Sequence, residues 1–326
     1  MQVTYFFRNP SPAYHSIEKL FGAIIEKMPP GSATSHFAKR ESKGFFNRIL
    51  IGLEARRNQG NINHITGDIH FVALFLKKRK TILTIHDIGI IKTGNILKRL
   101  VIKFFWFYLP IRAVNKVTVI SDFTKNELIS SIKVRPERIL VIPNCFPAAF
   151  IFKEKSIVNE KPVILQIGTK KNKNLERLIE ALYEISCKLL IVGKLSEHQI
   201  ALLDKYEIDY ENFIDVREPE MVDLYRRADI LAYISTYEGF GMPVVEANAV
   251  GLPVLASDIE PIKSVASDAA LLVSPIELSD IRTGILKLIE DKELREKLIS
   301  NGFENAQKYH PQKIVNDYIE VYKSLI

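Results

Sequence analysis

The chain has 326 residues, 47% hydrophobic and 25% charged, an ordinary globular composition with enough apolar sequence for two cores. Its two cysteines, Cys145 and Cys187, are too few for a disulfide framework or a cysteine-rich metal site, so we expect a reducing compartment. No signal peptide is visible and no apolar run approaches the ~20 residues that span a bilayer, which predicts a cytoplasmic protein.

The net charge of +7 is divided unevenly along the chain. Residues 1–155 carry 25 Lys and Arg against 10 Asp and Glu, whereas the remainder carries 20 against 28. A basic half beside an acidic half predicts that the first half faces an anionic partner. A phospholipid surface, a lipid diphosphate and a nucleic acid all fit this expectation.

In chain order, strand-like apolar runs alternate with helical periodicity. The predicted strands are Val3–Phe7, Asn61–Ile65, Thr81–Ile85, Lys116–Ile120, Ile139–Ile142, Val163–Ile167, Leu189–Val192, Asp229–Ile234, Pro253–Ala256 and Ala270–Val273. Alternating strands and helices predict an α/β protein with parallel sheets covered by helices on both faces. Around residues 146–161 the periodicity is lost and prolines appear, which indicates a boundary. We therefore predict Rossmann-like domains over residues 1–155 and 156–308, followed by a C-terminal helical segment over residues 309–326.

Polar residues and glycines gather just after the predicted strands. His64 and His86 lie at or after strands of the first half. Gly168, Gly193 and Glu238 follow strands of the second half. Ligands of open parallel sheets bind outside the carboxyl ends of the strands, so the pattern predicts that these residues lie along one cleft.

The segment from Gly168 to Asn174, GTKKNKN, lies between a predicted strand and a helix that begins at Leu175. Lysine and the N–H groups of a helix start both attract phosphate oxygens, so the segment suits a diphosphate. A solvated basic turn is the alternative interpretation of such a lysine cluster. The place between strand and helix favours phosphate binding.

The stretch from Ser235 to Gly251, STYEGFGMPVVEANAVG, runs from an apolar strand into a loop and a helix. Pro243 is typical of a helix start, so Gly239–Met242 should present N–H groups that bind anions or hydroxyl oxygens. Glu238 lies in the loop and Glu246 in the predicted first helical turn, where carboxylates can accept hydrogen bonds from sugar hydroxyls. A plain glycine turn, followed by an acid that the helix dipole favours, is the alternative. Amides beside carboxylates predict a ligand with phosphate and sugar parts.

The motif E-G-F-G-M-P-V-V-E, from Glu238 to Glu246, resembles the E-x7-E signature of retaining nucleotide-sugar glycosyltransferases of family 4. The resemblance covers nearly the whole chain and is strongest over residues 163–275. It implies a GT-B fold, in which two Rossmann-like domains face a cleft and a C-terminal helix crosses back to the first domain. It also implies transfer of a sugar from a nucleotide-diphosphate sugar to an acceptor hydroxyl with retention.

The resemblance assigns a role to each matching residue. Glu246 would bind the nucleotide ribose, Lys173 the diphosphate, and His86 the donor sugar. Glu238 would hold the same sugar together with the helix-start amides, and His86, Glu238 and Lys173 are the implied catalytic residues. The implied donor-binding residues are Gly168, Thr169, Lys173, Glu238, Gly239, Phe240, Gly241, Met242 and Glu246.

Two features bear on cations at this site. Thr169 stands where many family members have arginine, which leaves Lys170 or Lys171 as a substitute second cation. Asp-x-Asp, which holds a divalent ion in the other large fold class of glycosyltransferases, is absent from the sequence. We therefore expect no metal and no cofactor, with Lys173 and the helix-start amides stabilising the leaving diphosphate. A metal pair of His64 and His70 is rejected, since a third ligand at suitable spacing is missing.

The acceptor is predicted from charge and from further resemblance. The segments His64–His70 and Tyr14–Glu18 resemble stretches of bacterial surface-polysaccharide members of the family. With the basic first half, they suggest a lipid-linked glycan acceptor at the inner face of the cytoplasmic membrane, in lipopolysaccharide or related polysaccharide biosynthesis. Residues 97–113, LKRLVIKFFWFYLPIRA, form either a membrane-interface segment or a packed helix with a solvated basic edge.

Two rival functions remain. A nucleotide-sugar epimerase or hydrolase would share the fold and the donor site, and would form free nucleotide without an acceptor glycoside. A nucleic-acid-binding protein would use the basic half, but that half lacks any recognisable RNA- or DNA-binding module, so we expect no nucleic acid partner.

Overall fold

A computed structural model describes residues 1–10, 16–92, 94–153 and 161–326. Contacts divide the chain into two compact units, the first with residues 1–145 and 311–326 and the second with residues 146–310. The boundary predicted between residues 155 and 156 lies outside the described residues, as do Tyr14 and His15. Each unit has its own sheet.

Among the described residues, twelve strands form two six-stranded sheets. All of their pairings are parallel. The first sheet contains β1 (Val3–Phe7), β2 (Ala33–Phe37), β3 (Ile62–Ile65), β4 (Thr81–Ile85), β5 (Lys116–Val119) and β6 (Ile139–Val141). The second contains β7 (Val163–Ile167), β8 (Lys188–Val192), β9 (Asp209–Phe213), β10 (Ile230–Tyr233), β11 (Val254–Ser257) and β12 (Leu271–Val273). The strand orders are β2-β1-β3-β4-β5-β6 and β12-β11-β10-β7-β8-β9, which confirms the predicted α/β class.

Helices connect the strands. They are α1 (Ser16–Glu26), α2 (Phe45–Arg57), α3 (Ile96–Ile102), α4 (Leu109–Ala113), α5 (Asp122–Ile132), α6 (Leu175–Ala181), α7 (Glu197–Lys205), α8 (Glu218–Arg227), α9 (Met242–Val250), α10 (Ile262–Ala266), α11 (Leu278–Glu290), α12 (Lys292–Gln307) and α13 (Pro311–Lys323). A π-helical stretch, Lys103–Tyr108, joins α3 to α4. Within the described part of the chain, no helix combines the length and the apolar character needed to cross a bilayer.

Local sequence explains why these elements form where they do. Every residue of β1 and β4 is buried, as expected for parallel strands that helices cover on both faces. The hydroxyl of Ser121 accepts a hydrogen bond from the amide of Thr124 and so begins α5. Ser196 and Gln199 form a reciprocal capping box at the start of α7.

All ten predicted strands are present, and their ends differ from the predicted ends by no more than one residue. The sequence does not predict β2 and β9, which are edge strands of their sheets. Their sequences, ATSHF and DYENF, lack the continuous apolar run of a central strand, and most of their residues are partly or fully exposed. An edge strand has one unpaired side and needs less burial, so its signal in the sequence is weak.

Each sheet has one point at which the strand order reverses. In the second sheet this point lies between β7 and β10, because β8 and β9 extend to one side while β11 and β12 extend to the other. Ligands of open parallel sheets bind at the carboxyl ends of the strands beside such a point. The loops after β7 and β10 are therefore the place to look for a site.

The helix α13 is held in the core of the first unit by a buried polar network. Nδ1 of His64 lies 2.6 Å from the hydroxyl oxygen of Tyr322, and Nε2 of His64 lies 2.7 Å from the hydroxyl oxygen of Thr84. Tyr322 donates in turn to the hydroxyl of Tyr5 at 3.0 Å. Since each buried polar group has a partner, the network stabilises the contact between the last helix and the sheet.

This network predicts a pH dependence of stability. Burial lowers the pKa of His64 from 6.5 to about 3. In this range the unfolded chain binds a proton that the folded protein does not, so the free energy of unfolding should decrease as the pH falls from 6.5 towards 3. The decrease due to this residue is at most about 1.4 kcal/mol per pH unit. Urea unfolding at several pH values, followed by the fluorescence of Trp106, the only tryptophan, should show a shallower pH dependence for His64→Gln.

His310→Gln is the matched control, since His310 is an exposed histidine of the second unit. It should leave the pH dependence of the Trp106 transition unchanged. If His64→Gln and the unchanged protein show the same slope against pH, His64 does not contribute as described.

Candidate active site

The loop after β7 fixes the position of Lys173. Gly168 has a φ of +89°, and a Cβ at this position would lie 2.9 Å from Cγ of Lys173. The buried amide of Gln166 donates to the carbonyls of Gly168 and Lys173, each at 3.1 Å. Both the backbone conformation and the close approach of the lysine therefore require glycine here.

Lys173 and Glu238 form an ion pair at the reversal point between β7 and β10. The distance from Nζ to Oε1 is 2.5 Å, and the two side chains are 20% and 14% exposed. The ammonium also lies 5.1 Å from the centre of the Tyr233 ring. The amide of Asn172 donates to the carbonyl of Tyr237 at 3.1 Å and ties the two loops together. The structure thus brings together two residues that the sequence predicts separately.

Three residues separate Glu238 from the first residue of α9. Gly241, with a φ of +117°, precedes the first helical residue, Met242. Amides of a first helical turn have no acceptor within the helix, so this segment can donate to anions or hydroxyl oxygens. The ring of Phe240 is buried, with its centre 5.6 Å from that of Tyr309. The side chain of Phe240 therefore belongs to the core of the second unit, and only its backbone could contact a ligand.

Glu246 is the fifth residue of α9 and lies in its second turn. The expectation that it lies in the first turn is wrong, because the helix begins one residue before Pro243. The helix dipole acts mainly on the first turn, so it does not account for an acid at this position. The hydroxyl of Tyr225 donates to Oε2 of Glu246 at 2.6 Å, and burial raises the pKa of Tyr225, which keeps this hydroxyl protonated. Tyr225 lies in α8, and no pattern in the sequence points to it.

Thr169 connects the loop after β7 to neighbouring segments by two hydrogen bonds. Its hydroxyl donates to the carbonyl of Lys194 at 2.6 Å, and its own carbonyl accepts from the amide of Gln199 at 2.8 Å. These bonds join the loops after β7 and β8. Lys170 and Lys171, of which the sequence analysis expects one or the other as a second cation, are both exposed at the surface of the same loop.

His86 lies at the carboxyl end of β4 in the first unit. Its Nε2 donates to the carbonyl of Thr66 at 2.7 Å, which leaves Nδ1 as an acceptor. Gly67 makes room for the ring, since a Cβ there would lie 2.8 Å from Cδ2 of His86. Burial lowers the pKa of His86, so the imidazole is neutral near physiological pH.

His64 and His70 do not share a site. His64 belongs to the buried network described above, and Nδ1 of His70 lies 2.9 Å from the carbonyl of Trp106. Across residues 1–10, 16–92, 94–153 and 161–326, no three His, Cys, Asp or Glu side chains group so that they could hold a metal ion. Independence of metal stays a prediction.

Two family models match the chain. The model "Glycosyltransferase Family 4" matches residues 3–150, and "Glycosyl transferases group 1" matches residues 148–305. Together they extend over both units.

Relatives with similar sequences include bacterial glycosyltransferases. The chain is 25% identical over 232 residues to the O-antigen chain mannosyltransferase B of Escherichia coli. This match covers 64% of this chain and 60% of that protein. It is 26% identical over 182 residues to the N,N'-diacetylbacillosaminyl-diphospho-undecaprenol alpha-1,3-N-acetylgalactosaminyltransferase of Campylobacter jejuni, covering 54% of this chain and 48% of that protein. The matches thus span about half to three fifths of these relatives.

Solved structures share the architecture over the full length. HepE of Anabaena in complex with UDP superposes with a TM-score of 0.82 at 16% identity, covering 99% of this chain and 100% of that one. WaaG, a glycosyltransferase involved in lipopolysaccharide biosynthesis, superposes with a TM-score of 0.74 at 15% identity, covering 98% and 99%. These likenesses show the GT-B fold. Since its two halves match the two glycosyltransferase models and its whole length follows this fold, the chain belongs to the family 4 glycosyltransferases.

Proposed function

We propose that this protein is a retaining glycosyltransferase that moves a sugar from a nucleotide-diphosphate sugar to a lipid-linked glycan acceptor in cell-surface polysaccharide biosynthesis. The observation that carries the proposal is the ion pair of Lys173 and Glu238 beside the start of α9. Cation, carboxylate and helix-start amides meet at the reversal point of one sheet, and together they match a ligand that has phosphate and hydroxyl groups.

Each group has a chemical task in the donor complex. Lys173 and the amides of Gly239–Met242 hold the diphosphate and neutralise the charge that develops on it as the sugar leaves. Glu238 accepts hydrogen bonds from the sugar hydroxyls. Glu246, oriented by Tyr225, accepts hydrogen bonds from the ribose. When the donor binds, the ion pair separates: Lys173 then contacts phosphate oxygens, and Glu238 then contacts sugar hydroxyls.

His86 is assigned a contact with the donor sugar. Its Nε2 is already bonded to the carbonyl of Thr66, so Nδ1 remains to accept a hydrogen bond from a sugar hydroxyl. A neutral imidazole, which the lowered pKa of His86 favours, is the form that can do so.

We assign the neutralisation of the leaving diphosphate to Lys173 and the α9 amides, without a metal ion. A fixed lysine and oriented amides can stabilise developing phosphate charge by themselves. No carboxylate is assigned as a nucleophile, because Glu238 is a partner of the cation in the structure.

The acceptor side rests on charge and on relatives. Residues 1–155 carry 25 Lys and Arg against 10 Asp and Glu, which suits a diphosphate-linked lipid at an anionic membrane. The Campylobacter jejuni relative bears in its name a diphospho-undecaprenol acceptor, and HepE has been solved with UDP and with UDP-glucose. We propose a donor of this class and a cytoplasmic protein in peripheral contact with the inner membrane surface.

The donor class is measurable by calorimetry. Titration with UDP, GDP, ADP and dTDP, with and without EDTA, should give saturable binding of one nucleotide diphosphate that EDTA does not change. Binding lost in EDTA would overturn metal independence, and binding of none would overturn the donor site. Release of free nucleotide without an acceptor glycoside would favour an epimerase or hydrolase instead.

The ion pair is tested by Lys173→Gln and Glu238→Gln. Each should lower kcat/KM for transfer by about 10²–10³-fold, because each removes a preorganised partner of the reacting groups. The exposed pair of Lys292 and Glu296, with Nζ and Oε1 3.5 Å apart, provides the matched controls Lys292→Gln and Glu296→Gln. Circular dichroism should show all four variants folded. Transfer at the unchanged rate by either site variant would contradict the assignment.

Tyr225→Phe should weaken nucleotide diphosphate binding by about fivefold, because it removes a hydrogen bond worth ~1 kcal/mol that orients Glu246. Tyr309→Phe is the control, since the hydroxyl of Tyr309 donates to the carbonyl of Val265 at 3.4 Å and not to a proposed ligand group. Dissociation constants from calorimetry that are equal for the Tyr225 and Tyr309 variants would exclude the positioning role of Tyr225.

A further inference from the structure

The first unit has a large apolar surface open to solvent. It is formed by α3, the π-helical stretch and the start of α2, and we call it the apolar face. Its exposed large apolar side chains are Phe45, Phe46, Leu50, Ile96, Leu97, Leu100, Val101, Phe104 and Phe105. Phe46 is 79% exposed and Ile96 is 76% exposed. The helix α3 lies wholly within the described residues, and none of its seven residues is buried.

The two parts of the apolar face are joined. The guanidinium carbon of Arg48 in α2 lies 5.0 Å from the centre of the Trp106 ring in the π-helical stretch. The aromatic neighbours in each part also pack edge to face, with centres 6.0 Å apart for Phe45 and Phe46 and 5.1 Å apart for Phe104 and Phe105. The contact of Arg48 with Trp106 thus links the start of α2 to the π-helical stretch.

The π-helical stretch divides its aromatic residues between core and solvent. Phe107 is buried in the core of the unit, whereas Phe104 and Phe105 are 45% and 56% exposed. A π-helical turn is rare and occurs mostly at functional sites. Monomeric soluble proteins seldom expose so many neighbouring large apolar side chains, so this surface is expected to have a partner.

The charge around the apolar face identifies the partner. Residues 88–121 contain no Asp or Glu, but they contain Lys98, Arg99, Lys103 and Arg112. Near the start of α2, Lys43 is paired with Glu41, and Arg48 adds one further positive charge. Exposed aromatic and aliphatic side chains among cations suit an interface with anionic lipids, where the rings enter the acyl boundary and the cations meet the headgroups. A symmetric dimer through this face would place one basic surface against another, which disfavours a second copy.

We propose that the apolar face docks on an anionic lipid surface, with Phe45, Phe46, Phe104 and Phe105 inserted at the headgroup level. This inference refines the peripheral membrane contact in the proposed function and rests on it for its biological purpose. All residues of the apolar face belong to the first unit. The nucleotide site of the second unit can therefore be measured separately.

Flotation of the full chain with lipid vesicles tests the proposal. Vesicles of phosphatidylcholine with an equal part of phosphatidylglycerol should bind the protein, and vesicles of phosphatidylcholine alone should bind it at least about tenfold less. Trp106, the only tryptophan, lies within the apolar face and serves as an internal reporter. Brominated lipids should quench its fluorescence if the face enters the lipid.

Two sets of variants separate insertion from attraction. Phe46→Ser with Phe105→Ser removes exposed rings. Lys98→Glu with Lys103→Glu reverses two cations that lie outside the core. Each pair should lower vesicle binding about tenfold or more. Ile214→Ser with Ile276→Ser is the matched control, because these residues of the second unit are 54% and 62% exposed. This control should bind vesicles like the unchanged protein.

The outcomes are distinct. Equal binding to neutral and anionic vesicles, no binding to either, or unchanged binding in both variant pairs would overturn the proposal. Dimers in sedimentation without lipid, abolished by Phe46→Ser with Phe105→Ser, would assign the face to a second copy and also overturn it. Calorimetry with the nucleotide diphosphate on the same samples reports on the second unit. Intact nucleotide binding without vesicle binding would refute the lipid surface alone, and the reverse result would refute the donor site alone.

Discussion

The parallel pairing of β7 with β10 determines where the second unit can hold a ligand. The strand order reverses at this pair, so the loops that follow the two strands meet with no other loop between them. One loop carries Lys173 and the other Glu238, and the meeting brings their charged atoms to 2.5 Å. Hydrogen bonds of neighbouring residues stabilise this arrangement. Gln166 holds the loop after β7, and Asn172 connects that loop to the loop after β10. The position of this ion pair thus follows from the topology of the sheet.

The first unit places its polar and apolar groups in an unusual way. A neutral histidine, His64, lies in its core within a chain of hydroxyl partners that binds the last helix to the sheet. Large aromatic and aliphatic side chains lie on its outside, on α3 and the π-helical stretch. The buried network needs complete pairing, because an unpaired polar group in the core is costly. Among the described residues, no segment covers this open face, and a lipid partner is proposed for that reason.

Sequence reasoning succeeds where burial and backbone chemistry leave a local signal. The central strands are predicted because burial on both faces demands continuous apolar runs. Gly168 and Lys173 after β7 are singled out because they lie in one compact motif. Contacts between distant positions leave no such signal. The 2.5 Å approach of Lys173 to Glu238 joins residues 65 positions apart, and Tyr225 reaches Glu246 from another helix. The prediction places Glu246 in the first turn of α9, but it lies in the second turn, because Pro243 is the second residue of the helix and not the first.

In the proposed reaction, the ion pair of Lys173 and Glu238 has a consequence for the departure of the product. A phosphate that recruits Lys173 takes away the partner of a carboxylate that is only 14% exposed, and leaving such a carboxylate unpaired is unfavourable. A nucleotide sugar carries its own hydroxyl donors to replace that partner. Once the sugar is gone, the remaining nucleotide diphosphate cannot do so. Reunion of the two side chains would then compete with the phosphate for Lys173, so the resting pair would act as a built-in competitor that speeds product release.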